Sequence, residues 1–478
     1  MGSLTAAALL AKEGLSIRII EQNWIPGGCT SSYPRKNFVF ETGATTLVGM
    51  DEGMSLRHLV DQTGIKIPLR RLETPMKVYF DGALITRFNN IDSWIEEAEK
   101  HFDGDQRGFW ESCYQTSQFV WDSSLKYKDF PPRSAKDFLG LALAASLEDL
   151  WPARHAFRST EQVMKKYGVF NEKFLRFVDQ QLMITAQNSS REVNFLFGAA
   201  ALCYTNYGNY YVDGGLINLV NPIISYIESK GGHITYREPV TSIEKTNMGY
   251  RVTSKNQTYT STYIVSGIPI NNTVELLNAV STNVSKYRIL DSKQLNSAFQ
   301  MGIAFKSTKK FDCLHHQIHV KDGLHGLQSG SIFVSLSHPD DHTRTPEKDQ
   351  MIASISTHIP DPASNFIDED KIATHIQQIL IQHGFLEESD ILYTHTSGPK
   401  SWQKWTGRKW GFVGGYPQFL SIKPWQMLDV RLNAHGAYQV GDTVYPGQGI
   451  PGVTLGGIIA AHKLLSDIGK KPRRYPTD

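Results

Sequence analysis

The chain has 478 residues, 40% of them hydrophobic and 20% charged, with a net charge of +2. That length is too great for one hydrophobic core and predicts two or three domains, and the near-neutral balance argues against a nucleic-acid partner. The four cysteines, Cys29, Cys113, Cys203 and Cys313, form no C-x-x-C pair, which excludes a disulfide framework and a zinc ribbon and fits a reducing compartment. No run reaches the ~20 apolar residues of a membrane-crossing helix. The apolar run 4–11 has no basic residues ahead of it, unlike a signal peptide. The expectation is a cytoplasmic protein.

The chain opens on a helix followed by a strand. Leu4, Ala7, Ala8 and Ala11 recur at helical spacing, Gly14 stops the helix, and 17–20 is a β-branched strand leading into Glu21. In a dinucleotide-binding βαβ unit a glycine-rich turn opens such a helix. An acid roughly 20 residues on takes the ribose hydroxyls. Gly2, Ser3 and Glu21 fit the last two positions of that turn and its acid. No first strand or leading glycines of such a unit stand before Met1, so the expectation is a start at an internal methionine.

After Glu21, Pro26-Gly27-Gly28-Cys29-Thr30-Ser31-Ser32 forms a tight turn with exposed N–H groups, suited to a phosphate or ring. Residues 38–40 read as a strand and 54–66 as a helix stopped by Gly64. The Asp81-Gly82 pair closes a hairpin between 78–80 and 84–86. From 91 to 204 the text is helical and rich in aromatics (Phe102, Phe109, Trp110, Tyr114, Phe119, Trp121, Tyr127, Phe130), which read as core rather than as a ligand box. Its basic residues Lys165, Lys166, Lys173 and Arg176 raise a peripheral membrane contact as a secondary expectation. Alternating α/β text resumes at Asp213-Gly214-Gly215, with a helix over 216–229 and short strands at 233–236, 250–252, 258–260 and 263–266. Further strands are expected at 301–305, 331–335 and 351–356. Finally, a strand ending in Gly441-Asp442 runs into a Gly/Pro-dense loop and a small-residue helix predicted from Thr454 to about Ile468. Such a helix start suits an anionic or electron-rich group. No second glycine-rich βαβ motif argues for a bound nicotinamide.

These segments, GSLTAAALLAKEG…IIE, PGGCTSSY, FETGATTLVG, DGGLINLVNPIISYIESKGGHITYREPVTSI, TGRKWGFVGGYPQ and VGDTVYPGQGIPGV, run from residue 2 to about 468. Taken in order, they resemble the FAD-dependent phytoene desaturase and carotenoid isomerase family within the flavin amine-oxidase superfamily. The likeness is nearest the carotenoid isomerase, 3′,4′-desaturase and retinol saturase branch. It implies an α/β fold: a Rossmann-like FAD-binding domain, truncated of its first strand, from 1–74, 205–266 and 431–478. A mixed-sheet substrate domain follows from 75–90 and 267–430, and a helical, aromatic-rich insertion or lid from 91–204. It implies FAD as cofactor and a hydrophobic polyene as substrate. Gly2 and Ser3 match the end of the phosphate turn, Glu21 the ribose acid, and Gly27, Gly28, Cys29 and Thr30 the turn beside pyrophosphate and flavin. Arg35 is a candidate charge partner there. Val240 matches the adenine contact, Gly441 and Asp442 the ribityl-phosphate contact, and Gly452 and Val453 the helix start under the flavin's pyrimidine edge. The resemblance names no catalytic side chain.

Other motifs weigh less. In a strand His315 and His319 share a face while His316 points away, and no carboxylate nearby completes a metal set. Trp402, Trp405 and Trp410 fit a channel wall or a packing cluster equally. The sequons at Asn188, Asn256, Asn271 and Asn283 carry little without a secretory signal. Two competing readings stay open: a flavin oxidase of amines or another small substrate, and a non-catalytic apo-protein lacking its pyrophosphate grip.

Overall fold

The computed structural model describes residues 1–43, 45–146, 153–277, 289–324, 327, 329–364, 366–432 and 436–470. Ala44, Asn283 and the basic tail past 470 lie outside the described residues. The first helix, Gly2–Lys12, and the last, Ile450–Asp467, pack along each other. Glycine makes the crossing possible: a Cβ on Gly457 would sit 2.4 Å from the Gly2 carbonyl oxygen and 2.7 Å from Thr5 Cβ. Two short parallel pairs lie beside these helices, Arg18–Ile20 with His233–Thr235 and Ile264–Ser266 with Ala437–Gln439. Helix Ile217–Ser229 makes the crossover into the first pair and buries Leu219, Ile223 and Ile227.

The last helix begins at Ile450, four residues before the predicted Thr454. Pro451 is the reason. Its fixed φ and missing N–H favour the first helical turn, and Gly449 serves as the cap, so Gly452 and Val453 lie inside the first turn.

A seven-stranded sheet forms the second layer, in the order Ile391–Ser397, Asn296–Lys306, Gln350–Pro360, Ser331–Leu336, His315–His319, Met76–Phe80, Ala83–Arg87. Every neighbouring pair is antiparallel except His315–His319 with Met76–Phe80. The last two strands are the predicted hairpin, with Asp81 (φ +49°) and Gly82 (φ +79°) supplying its two left-handed residues. Helix Glu369–Gln382 covers the sheet with Ile372, Ile376 and Leu380, all fully buried, each worth roughly 1.5–3 kcal/mol. The strand pair Ser32–Arg35 and Phe38–Glu41 packs Phe40 against Ala304 and Ile352 on the same sheet.

Helices Ile91–His101, Gln106–Lys126, Ala135–Ala144, Thr160–Lys166, Glu172–Ala186 and Phe195–Leu202 form the cap. Phe102, Phe109 and Trp110 are core as expected, packed with Trp94, Phe174 and Phe177. Phe119, Trp121, Tyr127 and Phe130 are only half-buried. Arg87 is enclosed in that core. Its guanidinium lies 4.1 Å from the Trp94 ring centroid and donates to Gln181 Oε1 at 2.9 Å, and burial lowers its pKa to about 10. The four cysteines are free, and no described helix is long and apolar enough to cross a membrane.

Candidate cofactor site

The two end helices start at one place. A Cβ on Gly2 would meet Val453 O at 3.0 Å, Gly441 N at 3.1 Å and Val440 Cβ at 3.3 Å. Ser3 lies against Gly267, where a Cβ would fall 2.6 Å from Ser3 Oγ. Gly441 has φ +109°, and a Cβ on Gly452 would fall 2.9 Å from Gly447 O, so glycine is required at both. Neither helix start carries a side-chain cap. Their first-turn N–H groups therefore converge on one small region with the positive ends of two helix dipoles.

Glu21 follows strand Arg18–Ile20. Its backbone N–H donates to Thr235 O at 2.8 Å and its Oε1 accepts from Asn23 N at 2.8 Å. Burial raises its pKa, opposed by the Asn23 N–H. Val240 opens strand Val240–Thr246 on this side of the site, packed in one cluster with Ile20, while Glu238 N donates to Glu21 O at 2.9 Å. Gly27 and Gly28 take φ +99° and +61°, and Thr30 N closes the turn on Gly27 O at 3.1 Å. Thr42 Oγ1 donates to Gly28 O at 3.2 Å.

The cation at this cluster is one the sequence reading missed. Arg408 pairs with Asp442, Nη2 to Oδ2 at 2.8 Å, with both side chains largely buried. Burial works against the guanidinium, but Asp442 and Cys29 outweigh it and hold its pKa above the ordinary value. Burial raises the Cys29 thiol, with Arg408 opposing. Arg408 is delivered by helix Pro399–Thr406, whose C-cap Gly407 (φ +69°) lies against Gln22. Asn23 Nδ2 donates to Trp405 O at 2.8 Å, and Trp24 meets Trp405 edge-on at 6.3 Å. The Thr406-Gly407-Arg408 segment was visible in the sequence, but the partner of its arginine was not. Arg35 is set apart from this cluster: it is exposed, with its guanidinium 5.9 Å from the Tyr393 ring centroid.

Two observations leave room at these residues for a polar group. The glycine cradle around Gly441 is open, with only Gly267 O (3.7 Å) within 4 Å of where a Cβ would be. Both amide atoms of Gln448, in the loop before the last helix, are buried without a hydrogen-bond partner in the folded chain.

Two cavities adjoin the region. One, about 40 Å³, is lined by Tyr416, Pro417, Phe419, Ile422, Met427 and Leu428, and by Asp442, Thr443 and Gly447 of the cofactor loop. The other, about 10 Å³, has a mixed lining, with Glu41, Thr45, His315, Ser335 and Arg344 beside Tyr211, Leu216 and Leu336. Here Glu41 pairs with Arg344 at 3.0 Å and accepts from Ser32 Oγ at 2.6 Å and Leu216 N at 3.2 Å. Gly215 (φ +90°) lies so close that a Cβ would fall 2.4 Å from Ser32 Oγ, which explains the Asp213-Gly214-Gly215 motif. His315 Nδ1 is 2.8 Å from Ser335 Oγ, its Nε2 is buried without a partner, and burial lowers its pKa to about 3. His316 Nε2 hydrogen-bonds Cys313 O at 3.0 Å, and His319 lies near Asp81. Among the described residues no three His, Cys, Asp or Glu side chains are placed to hold a metal ion.

The chain is similar to known proteins along nearly its whole length. A family model described as "Flavin containing amine oxidoreductase" matches residues 4–465. The chain is 24% identical to prolycopene isomerase 1, chloroplastic, of an Oncidium hybrid cultivar, across 98% of this chain and 83% of that one. It is 21% identical to phytoene desaturase of Phycomyces blakesleeanus, across 99% and 85%. Among solved structures, cyclohexylamine oxidase from Brevibacterium oxydans superposes with a TM-score of 0.59 at 14% identity, over 98% of this chain and 96% of that one.

Proposed function

This chain belongs to the flavin containing amine oxidoreductase family, a FAD-dependent oxidoreductase of mixed α/β fold, and we propose that it acts on the C=C bonds of a carotenoid-like polyene by desaturation, isomerisation or saturation. The observation that supports this reading is the likeness along nearly the whole chain to a prolycopene isomerase and a phytoene desaturase, beside a small, largely apolar cavity of Tyr416, Phe419, Ile422, Met427 and Leu428 against Asp442 and Gly447.

FAD, when bound, supplies the two-electron chemistry. The chain's own residues hold and polarise. In this reading Gly2, Ser3, Glu21 and Val240 would take the adenosine half. Gly27, Gly28, Cys29, Thr30, Gly441 and Asp442 would flank the linker, and Gly452 and Val453 would take the ring. The uncapped first turn of helix Ile450–Asp467 would present N–H groups and a positive dipole end to negative charge on the ring. Arg408, locked on Asp442, fixes a cation at the same place, and Gln448 brings an amide free to bond a ring edge.

The test is product chromatography after anaerobic incubation of the full chain with FAD, oxidised or reduced, and a panel of carotenes and retinol. A new isomer, desaturated or saturated product is expected with at least one member. An unchanged panel in both redox states would contradict the reading.

A further inference from the structure

A row of hydroxyls runs from the cofactor site to the small cavity under strand His315–His319. Thr45 Oγ1 lies 2.5 Å from Ser335 Oγ, which lies 2.8 Å from His315 Nδ1. The imidazole is 1% exposed, and its ring stacks on Phe333 with centroids 6.0 Å apart, which fixes its plane. Its Nε2 is buried with no partner in the folded chain, and His315 lines the same cavity as Glu41 and Arg344. A buried polar nitrogen left unbonded is costly.

Glu41 has room for that bond. A carboxylate offers about four acceptor sites. Arg344 Nη1 takes one on Oε1 at 3.0 Å, while Ser32 Oγ and Leu216 N take two on Oε2 at 2.6 and 3.2 Å. Oε1 keeps one. The cavity, about 10 Å³, is the size of one water. A water there accepts from His315 Nε2–H and donates to Glu41 Oε1. With Nε2 protonated, Nδ1 must accept, so Ser335 donates to His315 and Thr45 donates to Ser335.

The other end of the row belongs to the segment that carries the cofactor turn. Thr42 Oγ1 lies 3.2 Å from Gly28 O, and a Cβ on Gly43 would stand 3.4 Å from Cys29 O. Thr45 follows two residues on and is half-buried. We propose that Thr45, Ser335, His315, one buried water and Glu41 form a proton relay between the cofactor site and a buried carboxylate.

The relay rests on the redox reading above. Desaturation takes a hydride and a proton from adjacent carbons, and saturation returns both. FAD accounts for the hydride, and the proton needs a protein group. A proton arriving at Thr45 Oγ1 releases Thr45's own to Ser335 and Ser335's to His315 Nδ1. The Nε2 proton then leaves through the water to Glu41 Oε1. Each O–H or N–H bond broken is replaced by one formed, and no electron moves. His315 ends neutral as its other tautomer and Glu41 ends protonated, while Arg344 keeps Val39 O at 3.0 Å and Tyr211 Oη at 3.2 Å. Saturation runs the row in reverse. His315 and Ser335 are positioning residues, acting through Thr45.

Nitrogen-15 NMR of the full chain labelled at histidine reads the tautomer without any substrate, with His315 assigned by its loss in His315→Gln. The expected ring is neutral, protonated at Nε2 and unchanged from pH 8 to pH 5. A ring protonated at Nδ1, or one that gains charge in that range, would overturn the relay. The second arm uses the FAD-loaded chain and a polyene that it converts. Ser335→Ala lowers kcat about a hundredfold at unchanged KM. Ser335→Thr, which keeps the hydroxyl, restores the rate together with a curved dependence on solvent deuterium content. An undiminished kcat in Ser335→Ala contradicts the proposal. If no polyene is converted the polyene reading fails, and the tautomer still supports or refutes the relay.

Discussion

Helices Gly2–Lys12 and Ala135–Ala144 are written in nearly the same letters, GSLTAAALLAK and AKDFLGLALA, and meet opposite fates. Nine of the eleven residues of the first are buried. In the second the single buried residue is an acid. Both sequences form helices for local reasons, alanine and leucine propensity and, in the second, a Ser134–Asp137 capping box. Burial was decided elsewhere in the chain: by the glycine at 457, which lets the backbone of the last helix touch the first, and by Arg431, which turns the second helix round its aspartate. Composition alone could not have told these two segments apart.

The most damaging way to break the contrast is Gly457→Val. The new side chain would drive into the Gly2 carbonyl and Thr5, and a loss of about 3 kcal/mol or more is expected, read by urea unfolding, with loss of flavin absorbance after gel filtration. Next, Asp137→Ala strands Arg431 from one partner while leaving it Asp467 at 2.8 Å. It also removes the capping box, so about 1–2 kcal/mol is expected by the same unfolding assay.

Acid acts on the sheet and on helix Ala135–Ala144 in different pH windows. His315 titrates at 6.5 in the unfolded chain and about 3 in the folded sheet, so between those values the unfolded state binds the extra proton. Stability therefore falls as pH drops through that window, by roughly 1.4 kcal/mol per pH unit for this group alone. His316, His358 and His395, each lowered by burial to about 4, act in the same direction. For Asp137, burial is outweighed by the Arg133 N–H and by Arg431, which lower its pKa, so its contribution is lost only as pH falls below the ordinary aspartate value of 3.8. Melting curves from pH 7 to 4 should show a falling midpoint, with a shallower slope in His315→Gln. The smallest effect is Leu143→Ser: an exposed position, a change within about 0.5 kcal/mol, and a thermal melt that overlays the parent.

Much of this was legible in the sequence, where local rules decide. Gly14 and Gly64 stop their helices, Asp81-Gly82 turns its hairpin, and strands 38–40, 301–305 and 331–335 lie inside the observed ones. Gly2, Gly441 and Val453 were named from separate motifs, and the fold brings their backbones within van der Waals reach. What escaped was long-range or depended on weighing one residue. Arg408 finds Asp442 only through the docking of Trp405 and Gly407 on Asn23 and Gln22, a pairing that no spacing encodes. Arg35, the charge partner expected from the sequence, ends against Tyr393. Pro451, read as loop, opened the last helix.

The central claim is that the flavin of this chain works on a hydrocarbon chain and not on an amine. The most direct measurement records the flavin and polyene bands together, anaerobically, as the FAD-loaded chain is mixed with a polyene in micelles or with a panel of primary and secondary amines. The account predicts a shifted polyene spectrum and a flavin band that no amine bleaches. Bleaching by an amine, with every polyene spectrum unchanged, would contradict it.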